Sequence, residues 1–286
     1  MSAAARGRLE LLAAAVLFST GGAAIKATTL TSWQVAGFRS LIAALAVALF
    51  IPASRRRWSW RVLVVAAAYA STLVLFVLAN KLTTAANAIF LQASGPLYLL
   101  LLGPLLLREP IRRSDVLLIL VMAGGMGLFF VGEQAPSRTA PDPWRGNLLG
   151  AFSGLSWALT IAGLRWIAGR AKGSEPGMAA VAAGNVLAGL VCLPKALPVA
   201  QAASSDWVAL FYLGVFQVGL AYLCLTRGVR QATALEASLL LLAEPALNPI
   251  WAWLVHAERP GAFAILGGML ILVSSLLRAV WTIRRE

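Results

Sequence analysis

From residue 9 to residue 281 the chain is a succession of ten apolar stretches, near 9–28, 33–52, 61–80, 85–107, 115–132, 146–166, 177–197, 207–226, 235–255 and 262–281. Charge clusters and Pro or Gly turns separate them. A helix needs about 20 mainly apolar residues to cross a hydrocarbon core of roughly 30 Å. Each stretch approaches that length, and no connection is long enough to hold a soluble domain. A membrane β-barrel would instead show alternating segments of about ten residues. The pattern predicts an all-α integral membrane protein with ten transmembrane helices. The longest connection carries the run EQAPSRTAPDPW at 133–144. Its prolines and polar residues oppose a helix and divide the chain into halves, 1–135 and 136–286.

Charge placement orients such a bundle. The formal net charge is +13, yet 60% of the residues are hydrophobic and 12% charged. These basic residues must lie outside the hydrocarbon, so they report topology and imply no nucleic-acid partner. With the N-terminus inside, seventeen Lys and Arg fall on the cytoplasmic side, among them Arg6, Arg8, Arg55, Arg56, Arg57, Arg61, Arg165, Arg227 and Arg278. Six (Lys26, Lys81, Arg138, Arg145, Lys195 and Arg259) fall outside, and Arg39 lies within the second span. Both termini are therefore predicted cytoplasmic, in a multi-pass protein of the cell inner membrane. Arg6 and Arg8 precede an apolar run that extends to about Ile25, which reads as an uncleaved first helix. Nine of the ten tryptophans, Trp251 included, lie near predicted span ends, where indole anchors at the headgroups, whereas Trp157 lies midway along the sixth span. Cys192 and Cys224 sit in apolar stretches without Cys or His spacing for a metal, so neither a disulfide nor a metal site is expected.

Shifting the sequence by 149 positions lays TTAANAIFLQASGP on ATALEASLLLLAEP. Thr84 then meets Thr233, Pro96 meets Pro245 and Glu109 meets Glu258, and Lys81 meets Arg230. A shift of 139 places Gly7-Arg-Leu on Gly146-Asn-Leu, Phe18 on Trp157 and Lys26 on Arg165. Five spans per half is an odd number, so the halves insert with opposite orientation. Inverted repeats around a central site are a transporter signature.

The mid-span aromatics of the first and sixth spans (LF at 17–18, SWAL at 156–159), Arg39, and the matched Pro-to-Glu spacing of the fourth and ninth spans resemble the EamA-type drug/metabolite transporters. Within that superfamily the chain is most similar to the YddG-type exporters of aromatic and other hydrophobic amino acids. The resemblance implies an exporter whose central cavity is lined by helices from both halves.

Helical phase gives an independent set of candidates, because residues at i, i+3/4 and i+7 share a face. Tyr69, Thr72, Phe76 and Asn80 form one stripe, Asn87, Ser94 and Tyr98 a second, and Ser153, Trp157 and Thr160 a third. Polar groups in a membrane helix face protein or a water-filled cavity. Aromatic rings mixed with hydroxyl and amide groups suit a small amphipathic substrate, although Ser, Thr and Asn also serve helix packing.

Glu244 is the carboxylate near the middle of a span. Proton coupling, binding of a substrate ammonium, and bonding to carbonyls freed by Pro245 compete for it. Arg39 is expected to be structural, in an ion pair with Glu244 or on fixed acceptors, with contact to a substrate carboxylate as the other role. Pro96 and Pro245, with Gly95 beside the first, mark bends that either gate the cavity or only shape it.

One His and one buried Glu leave little from which to build an enzyme site, and no cofactor or obligate protein partner is implied. The expected partners are a small-molecule substrate and the lipid bilayer. Export of aromatic or hydrophobic amino acids is the leading function, with a multidrug exporter, a membrane enzyme and a scaffold as alternatives.

Overall fold

In a computed structural model, residues 2–55, 58–106, 111, 113–131, 135–168 and 176–283 are described. Arg56, Arg57, Arg108, Glu109, Arg112, Arg170, Lys172, Arg284 and Arg285 lie outside this set. The elements are helical apart from an isolated bridge between Ser137 and Ala140. Among the described residues, nine segments are long and apolar enough to cross a membrane: Ala3–Lys26, Ser32–Phe50, Trp60–Leu82, Ala85–Leu105, Pro143–Ala168, Gly177–Ala196, Ser204–Gly228, Glu236–His256 and Ala262–Val280. Asp115–Val131, at the fifth predicted position, is a shorter apolar helix.

Several spans are broken. The first is α1 (Ala3–Ser19) followed by α2 (Gly21–Lys26), the second α3 (Ser32–Phe50) and the third α4 (Trp60–Leu82). The fourth divides into α5 (Ala85–Gln92) and α6 (Gly95–Leu106). Then come α7 (Arg113–Val131), α8 (Pro143–Ala168) and α9 (Pro176–Ala196). At the eighth predicted position lie α10 (Ser204–Phe211), a π-helical segment (Tyr212–Leu220) and α11 (Ala221–Gly228). The ninth divides into α12 (Ala234–Leu241) and α13 (Ala243–His256), and α14 (Ala262–Ile283) ends the bundle.

Proline chemistry explains two of these breaks. A proline cannot donate to the carbonyl four residues earlier and its ring crowds it. For Pro96 and Pro245 those carbonyls belong to Gln92 and Leu241, the final residues of α5 and α12. The half-helices start alike as well. The Thr84 hydroxyl accepts from Asn87 N at 3.1 Å, and Thr233 accepts from Glu236 N at 3.3 Å. Two of the identities between the halves, Thr84/Thr233 and Pro96/Pro245, are thus the N-caps and bends of two broken spans.

The helices pack through small residues, as membrane helices do. α4 runs along α8 and α9, α3 along α9, and α7 along α14. On α8, a Cβ at Gly154 would stand 2.6 Å from the Leu91 carbonyl oxygen, so only glycine allows α5 this close. Ile25, Val77, Leu91, Met122, Leu210 and Ile271 fill the shared core. Outside it, Leu45, Leu105, Leu120, Val191 and Val208 are exposed, an apolar periphery that suits lipid.

Five tryptophans, Trp58, Trp60, Trp144, Trp207 and Trp253, are exposed near span ends. Trp251 departs from the anchor reading. It lies inside α13, and its indole N–H donates to Ser19 Oγ at 2.9 Å, joining the ninth span to the break in the first.

Candidate functional site

Helices from both halves enclose a cavity of about 630 Å³, within the roughly 300–1,000 Å³ of small-molecule sites. α4 contributes Tyr69, Thr72, Leu73 and Phe76, and α8 contributes Trp157, Ile161 and Arg165 one turn apart along a single face. The broken spans present their breaks: Gln92, Ala93 and Pro96 from the fourth, Leu241, Leu242, Glu244 and Pro245 from the ninth. A helix break exposes backbone that a continuous helix would bond internally, which a polar cavity tolerates and lipid does not.

Aromatic rings form the wall between the halves. Phe18 of α1 meets Tyr222 of α11 edge to face at 5.2 Å between centroids. Tyr222 meets Tyr69 of α4 at 6.0 Å, with ring planes at 85°. Tyr69 lies in the first matched unit and Tyr222 in the second, so this ring contact joins the two halves. Trp157 stands against the fourth-span break, where a Cβ on Gly95 would come 3.1 Å from its Cδ1. Glycine there gives the indole room.

Two charged groups lie deep. Arg39 is 2% exposed and donates from Nη2 to the Leu73 carbonyl at 3.1 Å, while its Nε has no partner among the described residues. Glu244 lines the same cavity, and no ion pair joins the two among the described residues. The expected Arg39–Glu244 pair does not form: each side chain faces the cavity, and Arg39 takes a backbone carbonyl instead. Arg165 and Arg278 also line the cavity, and Arg278 Nη1 reaches the Pro96 carbonyl at 3.2 Å.

The remaining candidates lie elsewhere. Asn80 is buried and its amide donates to the Phe76 carbonyl at 2.9 Å. Asn87 bonds Thr83 and Asn147 at 3.2 and 3.0 Å, at the start of α5. Ser94 is buried and donates to the Leu91 carbonyl at 2.6 Å. Tyr98, Ser153 and Thr160 are not among the lining residues. Ser153 supports the wall indirectly, accepting from Gln92 Nε2 at 2.9 Å and donating to the Thr72 carbonyl at 3.2 Å.

Tyr222, Gln217, Gln92, Arg165 and Arg278 line the cavity without having been singled out as site residues. For Gln92 and Gln217, a polar side chain within a span was signal enough.

At the bundle end remote from the N-terminus, buried polar contacts tie the helices together. Lys26 and Glu258 pair at 3.1 Å with side chains 3% and 4% exposed. Lys26 also donates to the carbonyls of Thr83 and Thr139, and Glu258 accepts from Ala85 N at 2.5 Å. Nearby, Lys81 donates to Thr28, and Asp206 accepts from Thr29 and Ala203. At the N-terminal end the contacts are more exposed: Arg8 pairs with Glu236 at 2.5 Å, and Arg61 lies over the rings of Trp60 and Trp166.

A family model described as the EamA-like transporter family matches residues 5–131 and again residues 144–279. A solved structure described only as "Crystal structure of protein" is 19% identical, with 98% of each chain covered and a TM-score of 0.62. At that identity the likeness is one of fold. No curated protein matches the chain.

Proposed function

The chain belongs to the EamA-like transporter family, and from that premise we propose that it exports aromatic or other hydrophobic amino acids by alternating access. Membership makes it a membrane transporter of small metabolites, built from two repeats of one unit. The observation that carries the finer reading is the cavity between the repeats, where an aromatic wall of Phe18, Tyr69, Trp157 and Tyr222 surrounds one deep base and one deep acid. Rings take an apolar side chain through dispersion and edge contacts, and opposite charges read the two ends of a zwitterion.

The same reading puts ten spans in two inverted halves divided at 135/136, with both termini in the cytoplasm of an inner-membrane protein. The cavity residues Arg165 and Arg278 then lie toward the cytoplasm, and the Lys26–Glu258 end is the closed outer gate. Inverted halves supply two related shapes that open to opposite sides.

A cationic-drug exporter is the second reading, favoured by the Glu244 carboxylate in the cavity; Arg39, Arg165 and Arg278 oppose it. Counterflow in proteoliposomes separates the two. A labelled aromatic amino acid should accumulate and be competed by Phe, Trp, Leu and Met, whereas competition only by lipophilic cations would replace this reading with the second.

A further inference from the structure

We infer that Arg39 is the receptor for a carboxylate on the transported molecule. The inference rests on the transporter reading and goes further, assigning one group of the substrate to one residue. A guanidinium carries five N–H donors and no acceptor. Arg39 is almost wholly buried, yet Nη2 to the Leu73 carbonyl is its hydrogen bond among the described residues, and Nε is buried without a partner.

A buried cation without a counter-charge costs several kcal/mol. This protein neutralises another buried cation fully: Lys26 has Glu258 and two carbonyls. Arg39 has no such carboxylate among the described residues, and it borders the cavity beside Tyr69 and Tyr222. A structural arginine would be expected to hold fixed acceptors on most of its donors. An arginine with unmatched donors beside an aromatic-walled cavity is arranged to accept a planar anion, because its fork matches a carboxylate with two parallel bonds. The neighbouring rings would then cover the apolar part of the same ligand.

The test measures binding to the detergent-solubilised full chain, with matched probes sharing one ring: phenylalanine, 3-phenylpropanoate, phenylalaninamide, phenethylamine and phenethyl phosphate. Benzoate and octanoate are added as carboxylates unrelated to amino acids. Phenylalanine and 3-phenylpropanoate should bind at least tenfold more tightly than the amide. Arg39→Gln should erase that preference and leave phenethylamine unchanged. Arg39→Lys, which keeps charge without the fork, should give an intermediate loss and serves if Arg39→Gln does not fold.

Equal binding of the acid and its amide to the natural chain overturns the inference, as does phenylalanine affinity within twofold in a folded Arg39→Gln protein. Tighter binding of the phosphate than of any carboxylate also overturns it. If benzoate or octanoate binds through Arg39 while phenylalanine does not, the inference stands and the amino-acid reading fails. Binding of phenethylamine alone, or of no probe, counts against the inference.

Discussion

At Glu244 a carboxylate lines the cavity with neither a hydrogen bond nor an ion pair from the protein among the described residues. Its freedom from Arg39 leaves it available to a substrate ammonium. A hydrogen bond to a charged group contributes about 1.5–3 kcal/mol. Glu244→Gln should therefore weaken phenylalanine binding by roughly ten- to a hundredfold and leave 3-phenylpropanoate, which lacks the ammonium, unaffected. Equal losses for both ligands would make Glu244 structural, and no loss with an unchanged response to a pH gradient would remove it from the mechanism. Tyr69, Thr72 and Phe76 occupy successive turns of unbroken α4 and all reach the cavity, whereas Asn80, one turn further, bonds back to its own helix.

Among the elements, the broken spans set both the site and the limits of reading it. A stripe drawn from Asn87 through Ser94 to Tyr98 assumes one continuous helix, but the chain turns at Ala93 and Ser94 between α5 and α6. The break resets the phase, so Gln92, Pro96 and Leu99 line the cavity in place of Asn87 and Tyr98. Pro96 and Pro245 were visible as matched bends; their effect on side-chain direction depends on packing that periodicity does not encode. If these bends let half-helices move, replacing both prolines with Ala should restore bonds to the Gln92 and Leu241 carbonyls and slow exchange at least several-fold. Normal exchange rates in the double variant would reduce the bends to static shape.

The Lys26–Glu258 end is a second device at this scale. Ala257 ends α13 in the left-handed region at φ 54°, placing Glu258 against Lys26 across the two halves. Breaking a buried pair by removing one partner costs about 3–5 kcal/mol, because the other charge is stranded. Lys26→Met should lower the thermal midpoint sharply, and adding Glu258→Gln, which keeps an acceptor for Ala85 N, should recover part of the loss. Equal midpoints for the single and double variants would show that the two charges are not coupled.

Over the whole molecule, span positions were legible because hydrocarbon thickness fixes helix length and charge marks the ends. Pro143–Ala168 and Gly177–Ala196 thus fall on predicted stretches 146–166 and 177–197. The cavity was legible only in part, since its second-half wall comes from residues such as Tyr222 and Gln217 that meet the first half through tertiary packing. The π-helical segment from Tyr212 to Leu220, which sets the phase of that wall, left no mark in the apolar pattern. The proposed mechanism takes a small amphipathic metabolite across the membrane through the cavity between the halves. Its most direct test is counterflow of labelled phenylalanine into proteoliposomes loaded with the unlabelled compound, with Trp157→Ala compared at equal incorporation. Saturable accumulation by the natural chain is expected, with half-saturation raised severalfold by Trp157→Ala. No accumulation above protein-free vesicles across the amino-acid panel, or accumulation indifferent to Trp157, would contradict it.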